Sequence, residues 1–137
     1  HGPDADDPEP PPIEVVAWSC GSGARREFLP PACGASSQLR LLVVFPSCWD
    51  GVRLTSRGTN GHVATPSPVS GCPELYPVAV PELTMAIDYP PVDPDGLTLS
   101  SGSLATAHAD FWNVWDQTKL DTEVANCINR DLVCGLG

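Results

Sequence analysis

Six cysteines constrain this chain more than any other feature, because they fall into three sequential couples: Cys20 with Cys33, Cys48 with Cys72, and Cys127 with Cys134. Short loops close with the least loss of chain entropy, so these local pairings are the expected ones among those open to six thiols. A zinc-thiolate site is disfavoured, since no Cys-x-x-Cys occurs and structural zinc takes closely spaced ligand pairs. Disulfides form and persist in oxidising surroundings, so the cysteines point to a secreted, extracellular protein. The sequence starts at His1 with neither an initiator Met nor a signal peptide, as a mature form, a processed product or a fragment would.

Sixteen prolines and twelve glycines in 137 residues keep long helices from dominating and leave strands and ordered loops. This length, 42% hydrophobic, is enough for one core and excludes a second full domain. Seventeen acidic residues against seven basic ones give a formal net charge of -10, with a pI near 4.4. Such a chain is repelled by phosphate backbones and anionic lipid, so neither nucleic acid nor a membrane is an expected partner.

Residues 1–12 interleave Asp4, Asp6, Asp7 and Glu9 with five prolines and read as an acidic tail or linker, ahead of a single β-rich domain over 13–137. Ile13, Val15 and Ala17 alternate with their neighbours and predict a first strand running into Cys20. The stretch from Gln38 to Phe45 is apolar on both faces near its end and predicts a central, doubly covered strand stopping at Pro46. From Ser47 to Pro77 the composition is that of a long ordered loop, where functional groups are expected. Pro77 to Tyr89 reads as a strand pair or one long bent strand, with Pro81 marking an edge or bulge. Thr106 to Phe111 fits a strand, with Thr106, His108 and Asp110 on one face. It fits equally a helix with a stripe of His108, Phe111, Trp112 and Trp115. A helix is expected from Thr118 to about Arg130, with Leu120, Val124, Cys127 and Ile128 as its apolar face. The expected fold is mainly β: a disulfide-stapled, β-sandwich-like domain with long ordered loops and one short C-terminal helix.

No nucleophile elbow, phosphate-binding loop or His-Glu-x-x-His occurs, and Lys119, the one lysine, reads as a solvated surface residue. Two imidazoles and two carboxylates remain as candidates for chemistry: His62, His108, Asp50 and Asp110. They suffice for a general acid/base pair or for a single divalent metal ion, with His62, His108 and Asp110 as ligands. The plainer reading makes the histidines hydrogen-bonding structural groups and Asp50, ahead of Gly51, a turn former. An N-terminal His1 can chelate copper through its amine and ring, but here it leads a proline-rich tail rather than a rigid surface. Trp18, Trp49, Trp112 and Trp115 can stack on sugar rings if exposed, Trp49 and Trp112 foremost with Asn113 as a hydrogen-bonding neighbour; large aromatics are more often core.

Six motifs occur together in order: Trp18-Ser19-Cys20-Gly21; Phe45-Pro46-Ser47-Cys48-Trp49-Asp50-Gly51; Gly61-His62-Val63; Cys72-Pro73 with Pro77-Val78 and Pro81; Leu99-Ser100-Ser101-Gly102; and His108-Ala109-Asp110-Phe111-Trp112-Asn113-x-Trp115-Asp116-Gln117. In them the chain resembles the secreted fungal and actinobacterial family called domain of unknown function 1996. The resemblance runs from Trp18 to about Cys134 and corresponds to the C-terminal half of that family's domain. The N-terminal half it implies, with its own His-rich motif, is then a further expected partner. It also implies an extracellular protein from polymer-degrading microbes, and places Asp50, His62, His108 and Asp110 on recurring motif positions. The chain departs from the pattern at Gly61 before His62, at Thr65-Pro66 after it, and at Tyr76, where the family has a histidine. Two functions are therefore expected. One is a hydrolase acting on polysaccharide or cell-wall polymer through the His/Asp set. The other is a carbohydrate-binding module using exposed tryptophans, with a purely structural extracellular domain as the remaining reading.

Overall fold

The computed structural model describes residues 11–23, 25–56 and 61–134. Most of the acidic tail, His1 included, lies outside the described residues. All three expected disulfides are present, closing separations of 13, 24 and 7 residues. The chain is mainly strands in two antiparallel three-stranded sheets, followed by one short helix.

The first sheet contains β1 (Val16–Cys20), β2 (Leu39–Val44) and β6 (Thr84–Tyr89), with β2 in the middle. Strand β1 begins later than the alternation predicts, because the Pro12 carbonyl accepts the Val15 and Val16 amides and turns the chain first. Register puts Trp18 opposite Leu41 and Leu41 opposite Ile87, so one face collects Val16, Trp18, Leu39, Leu41 and Val43. Leu97, Leu99, Leu104 and Ala107 from the following segment pack on that face. Strand β2 is central, as predicted, but it is not sealed on both sides. On its other face Arg40 lies directly opposite Asp88 and forms a two-pronged ion pair with both oxygens at 2.6 Å, partly open to solvent. The pairing raises the pKa of Arg40 and lowers that of Asp88.

The second sheet forms within and just after the long loop, from β3 (Cys48–Trp49) flanked by β4 (Val63–Ala64) and β5 (Val78–Ala79). Cys48 is fully buried, and its bond to Cys72 ties the centre of this small sheet to the loop. Pro77 to Tyr89 thus resolves into two strands belonging to different sheets, with Pro81 between them. The chain crosses between sheets at 45–47 and again at 80–83. Phe45 N donates to Leu83 O at 2.9 Å, and Val80 N to Ser47 O at 2.9 Å, so the two crossings are bonded side by side.

Gly51 follows β3 at φ +75°, and a Cβ there would stand 3.1 Å from Val78 Cγ2. A left-handed backbone costs a non-glycine residue about 1–2 kcal/mol. We expect Gly51→Ala to lower the unfolding free energy by about that amount, read as a reduced urea midpoint. An unchanged midpoint would show that the turn relaxes freely.

Residues Ala107 to Phe111 are neither strand nor helix, and Thr106 ends a 3-10 turn. A 3-10 turn over Leu104–Thr106 is closed by Thr106 Oγ1 donating to Ser103 O at 2.7 Å, and the chain then runs on without a ladder partner. The helix α1 (Gln117–Asn126) starts one residue earlier than predicted, because Asp116 caps it by accepting the Lys119 amide at 2.9 Å. A 3-10 turn over Ile128–Arg130 follows. The expected apolar face is not buried against a sheet: no residue of α1 is buried, and among the described elements α1 packs only on that turn. No described helix is long and apolar enough to cross a membrane.

Candidate functional site

Where the chain crosses between the sheets, Phe45, Pro46, Pro81 and Leu83 form one wall of a cavity of about 410 Å³. His62 and Val63, at the start of β4, and Ala109, Asp110 and Phe111 from the unpaired segment complete it. Two of the expected site residues, His62 and Asp110, therefore come together. His62 is half-buried, with Nδ1 3.0 Å from Ser56 Oγ. Asp110 is exposed on the rim.

His108 is exposed and is not among the residues lining this cavity. Its Nδ1 lies 2.8 Å from the Thr106 carbonyl. A carbonyl can only accept, so this nitrogen carries a proton and Nε2 is the one left to act as acceptor. Thr106 is itself buried and meets Ser101 Oγ at 2.8 Å, so the histidine stands on an anchored turn.

Asp50 also lies outside the cavity lining. Its Oδ1 accepts the amides of Val52 and Arg53 at 2.9 Å each, and its Oδ2 accepts Arg53 Nε at 2.6 Å. Arg53 Nη2 in turn donates to the Gly61 carbonyl, and Asp50 N donates to His62 O at 3.0 Å. The turn-former reading of Asp50 is the one its contacts match. This clasp holds the His62 strand against β3. The Arg53 and Val52 amides, followed by the Arg53 side chain, lower the Asp50 pKa from 3.8 to about 2. A depressed carboxylate pKa means that the clasp contributes fully above the ordinary carboxylate value and is lost as pH falls through about 2. We expect the Trp49 indole N–H resonance, which reports a 2.6 Å bond to Arg53 O, to hold through mild acid and change with a midpoint near 2. A midpoint at 3.8 would remove this assignment.

The aromatic candidates divide. Trp18 is core at 2% exposure, and Trp49 is half-buried with its indole N–H already bonded, so neither is a free platform. Trp112 is 84% exposed, with Phe111 and Trp115 about half exposed on the same segment. Asn113 Oδ1 accepts the Trp115 amide at 3.2 Å, which sets the local turn, and its NH₂ group donates to no acceptor among the described residues.

The expected metal set is not assembled. Among the described residues, the one trio of His, Cys, Asp or Glu side chains with ligand atoms within 4.8 Å of one another is Glu123, Cys127 and Cys134. Its two cysteines are bonded to each other, leaving a single carboxylate. His62, His108 and Asp110 form no such trio among the described residues.

No curated protein and no solved structure matches the chain, whereas a family profile does. The match starts upstream of the resemblance noted above and stops ahead of α1, but it contains the cavity, the clasp and Trp112. The profile of the family described as Domain of unknown function (DUF1996) matches residues 4–115, more than three-quarters of the sequence, and the chain belongs to that family.

Proposed function

We propose that the protein is an extracellular carbohydrate-recognition domain. The observation that carries this reading is Trp112, a large aromatic left 84% exposed beside a cavity that already contains Phe45, Phe111, His62 and Asp110. Burying an indole is strongly favourable, and a contiguous exposed aromatic run marks a surface that something else covers. Sugar rings suit it, since they offer flat C–H faces to aromatic rings and hydroxyls to carboxylate, imidazole and amide groups. Asp110, His62 and the Asn113 NH₂ group would serve as those polar partners. Three disulfides and a strongly acidic composition accord with an extracellular setting.

A second reading is hydrolysis. It is favoured by the presence of an imidazole and a carboxylate, His62 and Asp110, in one cavity, where they would act as acid and base on a bound glycosidic or ester linkage. Co-sedimentation with a panel of insoluble polysaccharides, assayed also for released sugar, tests both. Recognition predicts retention that survives chelators, weakens but persists in His62→Ala and fails in Trp112→Ala, with no product released. Product formation abolished by His62→Ala would move the assignment to an enzyme, and absence of retention on every polymer would remove the recognition reading.

A further inference from the structure

The cavity is lined by a carboxylate that takes part in no hydrogen bond or ion pair among the described residues. Among the described residues, Asp50, Asp88, Asp93, Asp116 and Asp121 each accept at least one hydrogen bond, while Asp95 and Asp131, which do not line the cavity, accept none. Asp110 accepts none and belongs to neither ion pair, although it lines the cavity beside Phe111. Phe111 and Phe45 stand edge to face, with centroids 6.1 Å apart. The faces of aromatic rings are electronegative, so they and a free carboxylate attract the same kind of group, a cation, and repel an anion. Arg40 and Arg53, the arginines in the two ion pairs, are already matched by Asp88 and Asp50, and the whole chain carries a net charge of -10.

We infer that the cavity takes the ammonium group of an amino sugar, so that the polymer recognised is a glycan with free primary amines rather than a neutral or uronic-acid glycan. This rests on the recognition reading and names its ligand class. The ammonium sits against Asp110 with the phenyl rings beside it, while the sugar ring it belongs to extends onto Trp112. An N-acetyl group in its place is uncharged and loses both attractions. A uronate brings a second negative charge to Asp110.

Calorimetric titration of the intact chain with four oligosaccharides tests the inference: tetramers of glucosamine, N-acetylglucosamine, glucose and galacturonate. The glucosamine tetramer is expected to bind about fivefold more tightly than its acetylated counterpart, the scale of one exposed ion pair. That margin should shrink when salt is raised from about 0.01 M to about 1 M. Asp110→Asn is expected to bring the two within about twofold, and Asp110→Glu to keep the preference. Asp110 is exposed, so both variants should melt as the parent does. Equal binding of the amine and acetylated tetramers, tighter binding of galacturonate, or an undiminished preference in Asp110→Asn overturns the inference and leaves the recognition reading standing. If none of the four binds, the inference falls, and the co-sedimentation panel decides the recognition reading.

Discussion

Replacing Cys48 and Cys72 by alanine is expected to lower the unfolding free energy by about 3 kcal/mol and to melt the second sheet before the first. The bond closes a 24-residue separation, and loop-closure entropy alone gives a figure of this size. The effect should concentrate locally because β3, β4 and β5 have two residues each, far short of what an isolated sheet needs to persist in water. Their central residue, Cys48, is fully buried, so its sulfur is also part of the packing there. Equilibrium urea unfolding measures the total, and amide exchange at Asp50 and Val80 locates it, since these amides bond to His62 O and Ser47 O in this region. A loss below about 1 kcal/mol would mean that the loop holds its shape without the cross-link.

Trp112→Ala is expected to weaken polysaccharide binding by about thirtyfold, the size of an aromatic anchor at the centre of a contact. The melting temperature should not move, because the indole is 84% exposed and touches little of its own chain. Trp49→Ala provides the contrast. Its indole donates to the Arg53 carbonyl within the clasp, so its loss should lower stability and reach binding only through His62. Undiminished binding by Trp112→Ala would remove the surface platform and shift attention to the cavity alone.

These contrasts mark what could be read from the residues and what could not. The disulfides were legible because closing a short loop is a local matter that depends on spacing alone. The apolar run of β2 likewise announced a central strand. What stayed hidden depended on register: nothing near Arg40 in sequence says that Asp88, forty-eight positions on, faces it and keeps that side of the sheet polar. The alternation at Thr106, His108 and Asp110 suggested a strand, but a strand needs a partner ladder and none reaches it. Asp50 carried two signals at once, a turn-forming place before Gly51 and a carboxylate near histidines, and the turn accounts for its contacts. Trp49 and Trp112 look alike as residues, and only the tertiary path decides that one is held by a carbonyl while the other meets solvent. Helix α1 shows the reverse error, since its periodic apolar residues are real but no strand packs over them, only the 3-10 turn that follows.

The two crossings between the sheets have a mechanical consequence. Both are cavity walls, so any change in the angle between the sheets would change the width of the cavity. A molecule wedged into the opening would oppose such a change. Occupancy would thus be felt as added rigidity in β6 and β3 alike, at amides that never touch the guest.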